Sequence, residues 1–169
     1  MKVQKRMKML AIMLLAVLLL GGCGTKKAGK SSGKTYTCTV SINCATLLDH
    51  MDILAKEKHE FVPEDGVILP ETEIEFEEGE SAHDILKKAC QDAKIHMESN
   101  YVPVYDSAYI EGINQLYEFD GGELAGWTYK VNGEFPNYGV SNYEVKEGDV
   151  IEFLYTCDLG KDVGNEFEE

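Results

Sequence analysis

Residues Tyr36–Cys44 read YTCTVSINC, and the polarity switches at every step. Tyr36, Cys38, Val40, Ile42 and Cys44 share one face, and Thr37, Thr39, Ser41 and Asn43 share the other. Strict period-two alternation predicts a strand with one face buried and one face wet. The same logic runs outward along the chain. Glu71–Glu77 (ETEIEFE) puts Thr72, Ile74 and Phe76 inward and four glutamates outward, the signature of a sheet edge protected against further pairing. Ser81-Ala82-His83-Asp84 fits the capping pattern that opens a helix. Ala82, Ile85, Leu86, Ala89, Cys90 and Ala93 follow as one apolar stripe, predicting a helix of about fourteen residues with His83 on its exposed side.

Leu47–Leu54 reads as a short helical turn and residues 55–66 as a polar loop. Residues 100–119, rich in Tyr, Val and Ile, predict two short edge strands broken by Pro103 and Gly112. Gly121-Gly122 is a turn, Gly126–Val131 a strand, and Asn132-Gly133 a hairpin-type turn. An aromatic loop, Phe135–Tyr143, leads through Lys146-Glu147-Gly148-Asp149 into the last strand, Val150–Cys157. The acidic tail after Lys161 is expected to fray. Two strands, one helix and then several strands give an α+β class, with one helix packed on a mostly antiparallel sheet. This order suits a β-grasp-like roll whose first and last strands lie side by side in the centre, parallel to each other.

The 169 residues hold 30 acids and 16 bases. Eight of the bases precede Thr35, so from there on acids exceed bases by 22. The one arginine is Arg6. A domain with that charge repels phosphate backbones, which excludes nucleic acid as a partner. Residues 1–8 are basic, and Met9–Leu20 is an apolar run of twelve, shorter than the roughly 20 residues of a spanning helix. Such a pattern is a secretory signal. It ends in Leu20-Gly21-Gly22-Cys23, which resembles the lipobox of bacterial lipoproteins. That resemblance implies acylation of Cys23 and attachment to the lipid bilayer on the extracytoplasmic face of a bacterial cell membrane, held stably once two or three chains are added. Residues 24–34 (GTKKAGKSSGK) contain no large apolar side chain and read as a flexible tether. The expected organisation is a signal peptide over 1–22, lipidated Cys23 and tether over 23–34, and one domain over 35–169.

Beyond Cys23 stand Cys38, Cys44, Cys90 and Cys157, in a compartment where disulfides persist. Cys38 and Cys44 are about 20 Å apart on an extended strand and cannot bridge. The parallel centre of the roll brings the ends of the first and last strands together, which favours Cys44–Cys157. On the chain-entropy account that bridge contributes about 4–5 kcal/mol. Cys38 and Cys90 both face the core, either as a second bridge or as buried free thiols behaving as small hydrophobes.

Reactive chemistry has little to draw on. His50, His59, His83 and His96 form no HExxH or dense ligand cluster, serines lack a GxSxG setting, and no glycine loop suits a phosphate. No metal site and no catalytic set is expected, so the reading is non-enzymatic. The distinctive feature is aromatic: Trp127, Tyr129, Phe135, Tyr138 and Tyr143 fall between Gly126 and Tyr143. Some of these rings, Trp127 first, are expected to fill the core. Phe135 and Tyr138 beside Asn137 are expected to form part of a ligand surface, since small-molecule sites are aromatic with few polar groups.

Three motifs carry a resemblance: Gly126-Trp127-x-Tyr129-x-Val131-Asn132-Gly133, then Asn137–Tyr143 (NYGVSNY), then Lys146-x-Gly148-Asp149-x-Ile151-Glu152-Phe153. Together they are similar to the C-terminal β-rich domain of the cobalamin carriers transcobalamin and intrinsic factor, and to bacterial surface lipoproteins carrying that domain. The resemblance runs from about Thr72 to Gly164. It implies a domain that caps one side of a corrin ring, with no histidine cobalt ligand. Under it the ligand-binding candidates are Trp127, Phe135, Asn137, Tyr138, Gly139 and Tyr143, with Gly139–Tyr143 as the matching family segment. The expectation is a membrane-anchored binding module for a corrinoid, cobalamin-like ligand. The alternative is a structural or adhesion module that binds a surface protein or a cell-wall glycan.

Overall fold

The computed structural model describes residues 34–165. The expected signal peptide, Cys23 and the tether up to residue 33 lie outside the described residues. Strand β1 (Thr35–Asn43) forms as its alternation demands, with Cys38, Val40 and Ile42 buried and the residues between them half-exposed. It pairs antiparallel with β2 (Val67–Glu77) and parallel with the last strand, β7 (Val150–Thr156), in the register Thr39↔Val150 to Asn43↔Leu154. Strand β6 (Gly126–Val131) completes the sheet in the order β2-β1-β7-β6. The two central strands are therefore the first and last, as the order of elements predicted. β2 is an edge, and its four outward glutamates and Pro70 keep that edge from recruiting another strand.

Helix α1 (Ala82–Ala93) opens with a complete capping box, the Asp84 amide donating to Ser81 Oγ (3.3 Å) and the Ser81 amide to Asp84 Oδ2 (3.1 Å). Such a cap is worth about 1 kcal/mol. Ala82, Ile85, Leu86, Ala89 and Cys90 are buried. The helix is twelve residues long, shorter than predicted, and Ala93 is exposed. Lys94 adopts a left-handed conformation (φ +57°) and the Ile95 amide turns back to the Cys90 carbonyl (2.8 Å), which ends the helix at Ala93, three residues past the last buried stripe residue, Cys90.

The second half departs from the predicted pair of edge strands. Strands β3 (Met97–Val102), β4 (Ser107–Ile113) and β5 (Leu116–Tyr117) form a separate three-stranded antiparallel sheet. Gly112 does not break a strand. It lies inside β4 beside a register shift, where an added Cβ would stand 2.7 Å from the Tyr117 ring. Asn114 and Gln115, both at positive φ, make the two-residue turn into β5. The Trp127 indole N–H donates to the Leu116 carbonyl (2.9 Å), tying this sheet to β6. Ile110, Ile113 and Leu116 join Trp127, Phe153 and Tyr155 in one continuous core.

Two loop expectations are corrected. Within residues 55–66, Lys56–Phe61 forms a 3-10 turn, fastened by a His59–Leu54 carbonyl contact (3.0 Å) and by Asn114 Nδ2 on the Phe61 carbonyl (2.8 Å). The tail does not fray at Lys161. Lys161–Val163 is a 3-10 turn, and the Asp162 carboxylate accepts from the Cys157 amide (2.7 Å) and from Thr156 Oγ1.

The bridge expected between Cys44 and Cys157 is not formed in this structure, nor is one between Cys38 and Cys90: Cys38, Cys44 and Cys90 are buried, Cys157 is half-buried, and all four are free thiols. Burial raises Cys38 to about 11 and Cys44 and Cys90 to about 12, against 9.0 for an exposed thiol. Between pH 9 and 12 the unfolded chain therefore binds fewer protons than the folded one, so stability falls as pH rises through that window. Urea midpoints of the reduced protein should hold steady up to about pH 8 and drop by pH 10.5. A midpoint unchanged over that range would contradict the buried thiols.

Candidate functional site

The aromatic loop starts where β6 ends. Asn132 and Gly133, at φ +54° and +83°, form a two-residue turn closed by Val131 and Glu134 through reciprocal backbone bonds of 2.9 and 3.0 Å. The turn is the predicted hairpin type, but its return arm is a single bridge. The long partner of β6 is β7, which begins only at Val150. Residues 135–149 thus span the gap as a loop, and the sequence provides anchors for it at several points.

From the sheet, Tyr129 Oη donates to the Tyr138 carbonyl (2.9 Å). From β4, the Ala108 amide donates to Ser141 Oγ (2.9 Å), which also lies 3.0 Å from Ser107 Oγ. From the helix, the Ala82 amide donates to the Tyr143 carbonyl (2.9 Å) and the His83 amide to the Val140 carbonyl (3.1 Å). These are first-turn amides that a helix cannot satisfy internally, so loop and helix complete each other. At the far end the buried Asp149 carboxylate accepts from Asn132 Nδ2 (2.8 Å), Tyr143 Oη (2.9 Å) and the Lys146 amide (2.9 Å). Burial, then the Asp149 carboxylate, pushes the Tyr143 hydroxyl up to about 12, so this contact stays intact at neutral pH.

The pinned loop overhangs a cleft of about 560 Å³. It is lined by Ala108, Tyr109 and Ile110 of β4, by Trp127, Thr128 and Tyr129 of β6, by residues 135–140 of the loop and by Asn165. Among the described residues, none that lines it is Lys, Arg, His, Asp or Glu. Tyr109 Oη donates to Glu118 (2.7 Å), and burial raises its pKa to about 12. Phe135 is half-buried beneath the Lys130 ammonium, 4.9 Å from its ring centre. Tyr138 is 53% exposed and stacks on Tyr143 with centroids 6.2 Å apart.

The candidates from sequence divide accordingly. Phe135, Asn137, Tyr138 and Gly139 line the cleft, with Asn137 and Tyr138 open to solvent. Trp127 is 8% exposed and belongs mainly to the core, edge-on to Tyr155 at 5.2 Å, so it offers only a margin to the cleft. Tyr143 does not line the cleft and acts behind Tyr138. The β4 residues Ala108, Tyr109 and Ile110 were missed, because a strand facing the cleft looks in sequence like any other alternating strand. Also missed was Tyr105, which with Val102 and Asn142 lines a second concavity of about 450 Å³ that shares Tyr109, Asn137 and Tyr138. Its signal was the run Val102-Pro103-Val104-Tyr105, too apolar for an ordinary hairpin tip.

His83 is half-buried with Nε2 2.8 Å from Ser99 Oγ, which corrects the expectation of an exposed side chain. Burial and the nearby Lys87 hold its pKa below the usual histidine value. His96 lies 3.0 Å from Glu98. Among the described residues no three His, Cys, Asp or Glu side chains are grouped as a metal site.

Residues 79–156 match the sequence profile of a family described as a domain of unknown function, DUF4430. No curated protein matches the chain. Among solved structures, haptocorrin in complex with Cbi is similar with a TM-score of 0.55 and 15% identity, over 75% of this chain and 26% of haptocorrin. The chain thus corresponds to about a quarter of that protein, and the likeness is one of fold. A Ruminococcus gnavus ATCC 29149 protein described as a candidate metal binding protein aligns at a TM-score of 0.43 and 16% identity, over 72% of this chain and 96% of that one. The haptocorrin match agrees in fold with the carrier resemblance read from the three motifs.

The loop's position is testable at Gly139, where an added Cβ would stand 1.9 Å from Ser107 Oγ and 2.3 Å from Ser107 Cβ. Gly139→Ala should displace the loop and cost about 1–3 kcal/mol in urea unfolding. Asp149→Ala leaves three donors without their acceptor and should cost a similar amount, about 1–3 kcal/mol. Both variants should keep the far-ultraviolet spectrum of the parent.

Proposed function

We propose that this protein is a non-enzymatic binding module, held on the extracytoplasmic face of a bacterial membrane by acylated Cys23, whose charge-free aromatic cleft takes one face of a corrinoid. The observation that carries the reading is the cleft itself, an aromatic concavity with no ionised lining group among the described residues, in a strongly acidic domain. A corrin ring offers a broad apolar rim and neutral amide arms. Tyr109 and Tyr138 supply rings for the first and Asn137 an amide for the second. The pinned loop needs little ordering on binding, which lowers the entropic cost of association. The fold likeness to haptocorrin, solved with Cbi, supports the same ligand class. Since the chain spans about a quarter of haptocorrin, a partner surface covering the other face of the ring is part of the proposal.

Titration of the full chain with cobalamin and with cobinamide, followed by the visible corrin absorbance, should saturate at about 1 mM or below. Tyr138→Ala should weaken binding about tenfold, equivalent to about 1.4 kcal/mol. Absence of saturation by either corrinoid, with or without neighbouring surface proteins, rejects the corrinoid reading. For the anchor, mass spectrometry of material from the native membrane should find an N-terminal Cys23 carrying a diacylglyceryl thioether. An unmodified sulfur there rejects the anchor.

A further inference from the structure

The second concavity adjoins the first, sharing Ala108, Tyr109 and residues 137–139 with it, and adds Val102, Tyr105, Ser107 and Asn142. Tyr105, at the tip of the β3–β4 hairpin, and Tyr138 both line it. Tyr105 is 75% exposed and its neighbour Val104 is 81% exposed, unusual for large side chains in so polar a domain. The hairpin tip is braced from within, since Tyr101 Oη donates to Asp106 and the Tyr105 amide to the Val102 carbonyl (3.1 Å). Tyr105 is therefore displayed on a turned and bonded loop.

Two side-chain amides, Asn137 and Asn142, line the same concavity. Among the described residues neither amide group makes a hydrogen bond within the chain, although Asn142 bonds through its backbone to Gly139 (2.9 Å). Each amide offers two donors and an acceptor, the set that neighbouring hydroxyl groups require. Among the described residues, no Lys, Arg, His, Asp or Glu lines the site. Charged ligands thus lack a partner here, and the excess of acids elsewhere repels anions. Flat, rigid tyrosine rings give contact area at low entropic cost.

We infer that this concavity binds a neutral glycan, with one pyranose ring seated against Tyr105 and Tyr138 and its hydroxyls shared between Asn137 and Asn142. The C–H face of a pyranose is apolar and lies on an aromatic ring, while its rim both donates and accepts. A proline-rich peptide would also lie on tyrosine rings, but its prolines bring acceptors alone and use only the donor half of each amide. The inference goes beyond the corrinoid reading and does not need it. Tyr105 and Asn142 line only this concavity, and Trp127 and Phe135 line only the other.

The test uses the full chain in phospholipid nanodiscs, free of sugar-based detergent. Saturation-transfer NMR and calorimetry would screen β-1,4-linked glucose and N-acetylglucosamine oligomers, α-1,4-linked glucose oligomers and a polyproline peptide. At least one oligosaccharide should saturate at about 1 mM or below. Tyr105→Ala should weaken that binding about tenfold, Tyr105→Trp should restore it, and Asn142→Ala should weaken it. Tyr105 is so exposed that its removal should leave the unfolding midpoint unchanged. The corrinoid titration should not respond to Tyr105→Ala, so loss of corrinoid binding and loss of glycan binding are separate results. The inference is overturned if no oligosaccharide saturates below about 10 mM, if binding ignores Tyr105→Ala, or if only the peptide binds.

Discussion

The parallel pairing of β1 with β7 is the constraint on which the other elements depend. Parallel neighbours cannot be joined by a tight turn, so the whole intervening chain must cross over and return. That crossover carries α1, the second sheet and the aromatic loop. The pairing also sets both ends of the domain. At one end Thr46 Oγ1 donates to the Tyr155 carbonyl (2.6 Å), and Tyr155 Oη bonds the Tyr117 carbonyl (2.7 Å) and the Gly121 amide (3.1 Å). At the other, the Thr39 amide donates to the Asp149 carbonyl (2.8 Å) and the Gly148 amide to the Thr37 carbonyl (2.8 Å). Asp149 is thereby placed with its backbone in the sheet and its carboxylate under the loop.

Asp149 connects fold and site. A buried carboxylate persists only when hydrogen bonds replace its water, and here a turn amide, a tyrosine hydroxyl and a backbone amide do so. The tyrosine is the one on which Tyr138 stacks. The loop's polar atoms are mostly consumed inward, by Asp149, by the first-turn amides of α1 and by β4. Between Phe135 and Tyr143, what remains for solvent is chiefly rings and the two side-chain amides of Asn137 and Asn142, while the charged Glu144, Lys146 and Glu147 lie further along, toward Asp149. This division of labour explains how a domain with 30 acids can present a neutral surface to a ligand.

The same principle accounts for the thiols. Cys38, Cys44 and Cys90 are placed on buried faces by strand and helix periodicity, and there they behave as small apolar side chains held protonated by burial. Among the described cysteines only Cys157, just past the end of β7, is partly open, and its sulfur occupies the space that a side chain at position 121 would fill.

The strands β1, β6 and β7, the Glu71–Glu77 part of β2 and the start of α1 were legible because each carries its own signal, either period-two burial or a capping pair with a 3.6-residue stripe. The parallel centre followed from the order of those elements. The second sheet was not legible as separate. Strand alternation shows that one face is buried but not which sheet covers it, and Gly112 reads as a break until Tyr117 is seen beside it. For the site, Phe135, Asn137, Tyr138 and Gly139 were visible as a loop of rings between two strands. Tyr105, Tyr109 and Ile110 were not, since they come from a hairpin that meets this loop only after the chain has crossed over. By itself, then, the sequence determined the local elements, the sign of the charge and the aromatic character of one loop, because each depends on neighbours a few positions away. Tertiary structure alone decided which rings were spent in the core and which were left on the surface, because burial depends on contacts between segments far apart in the chain.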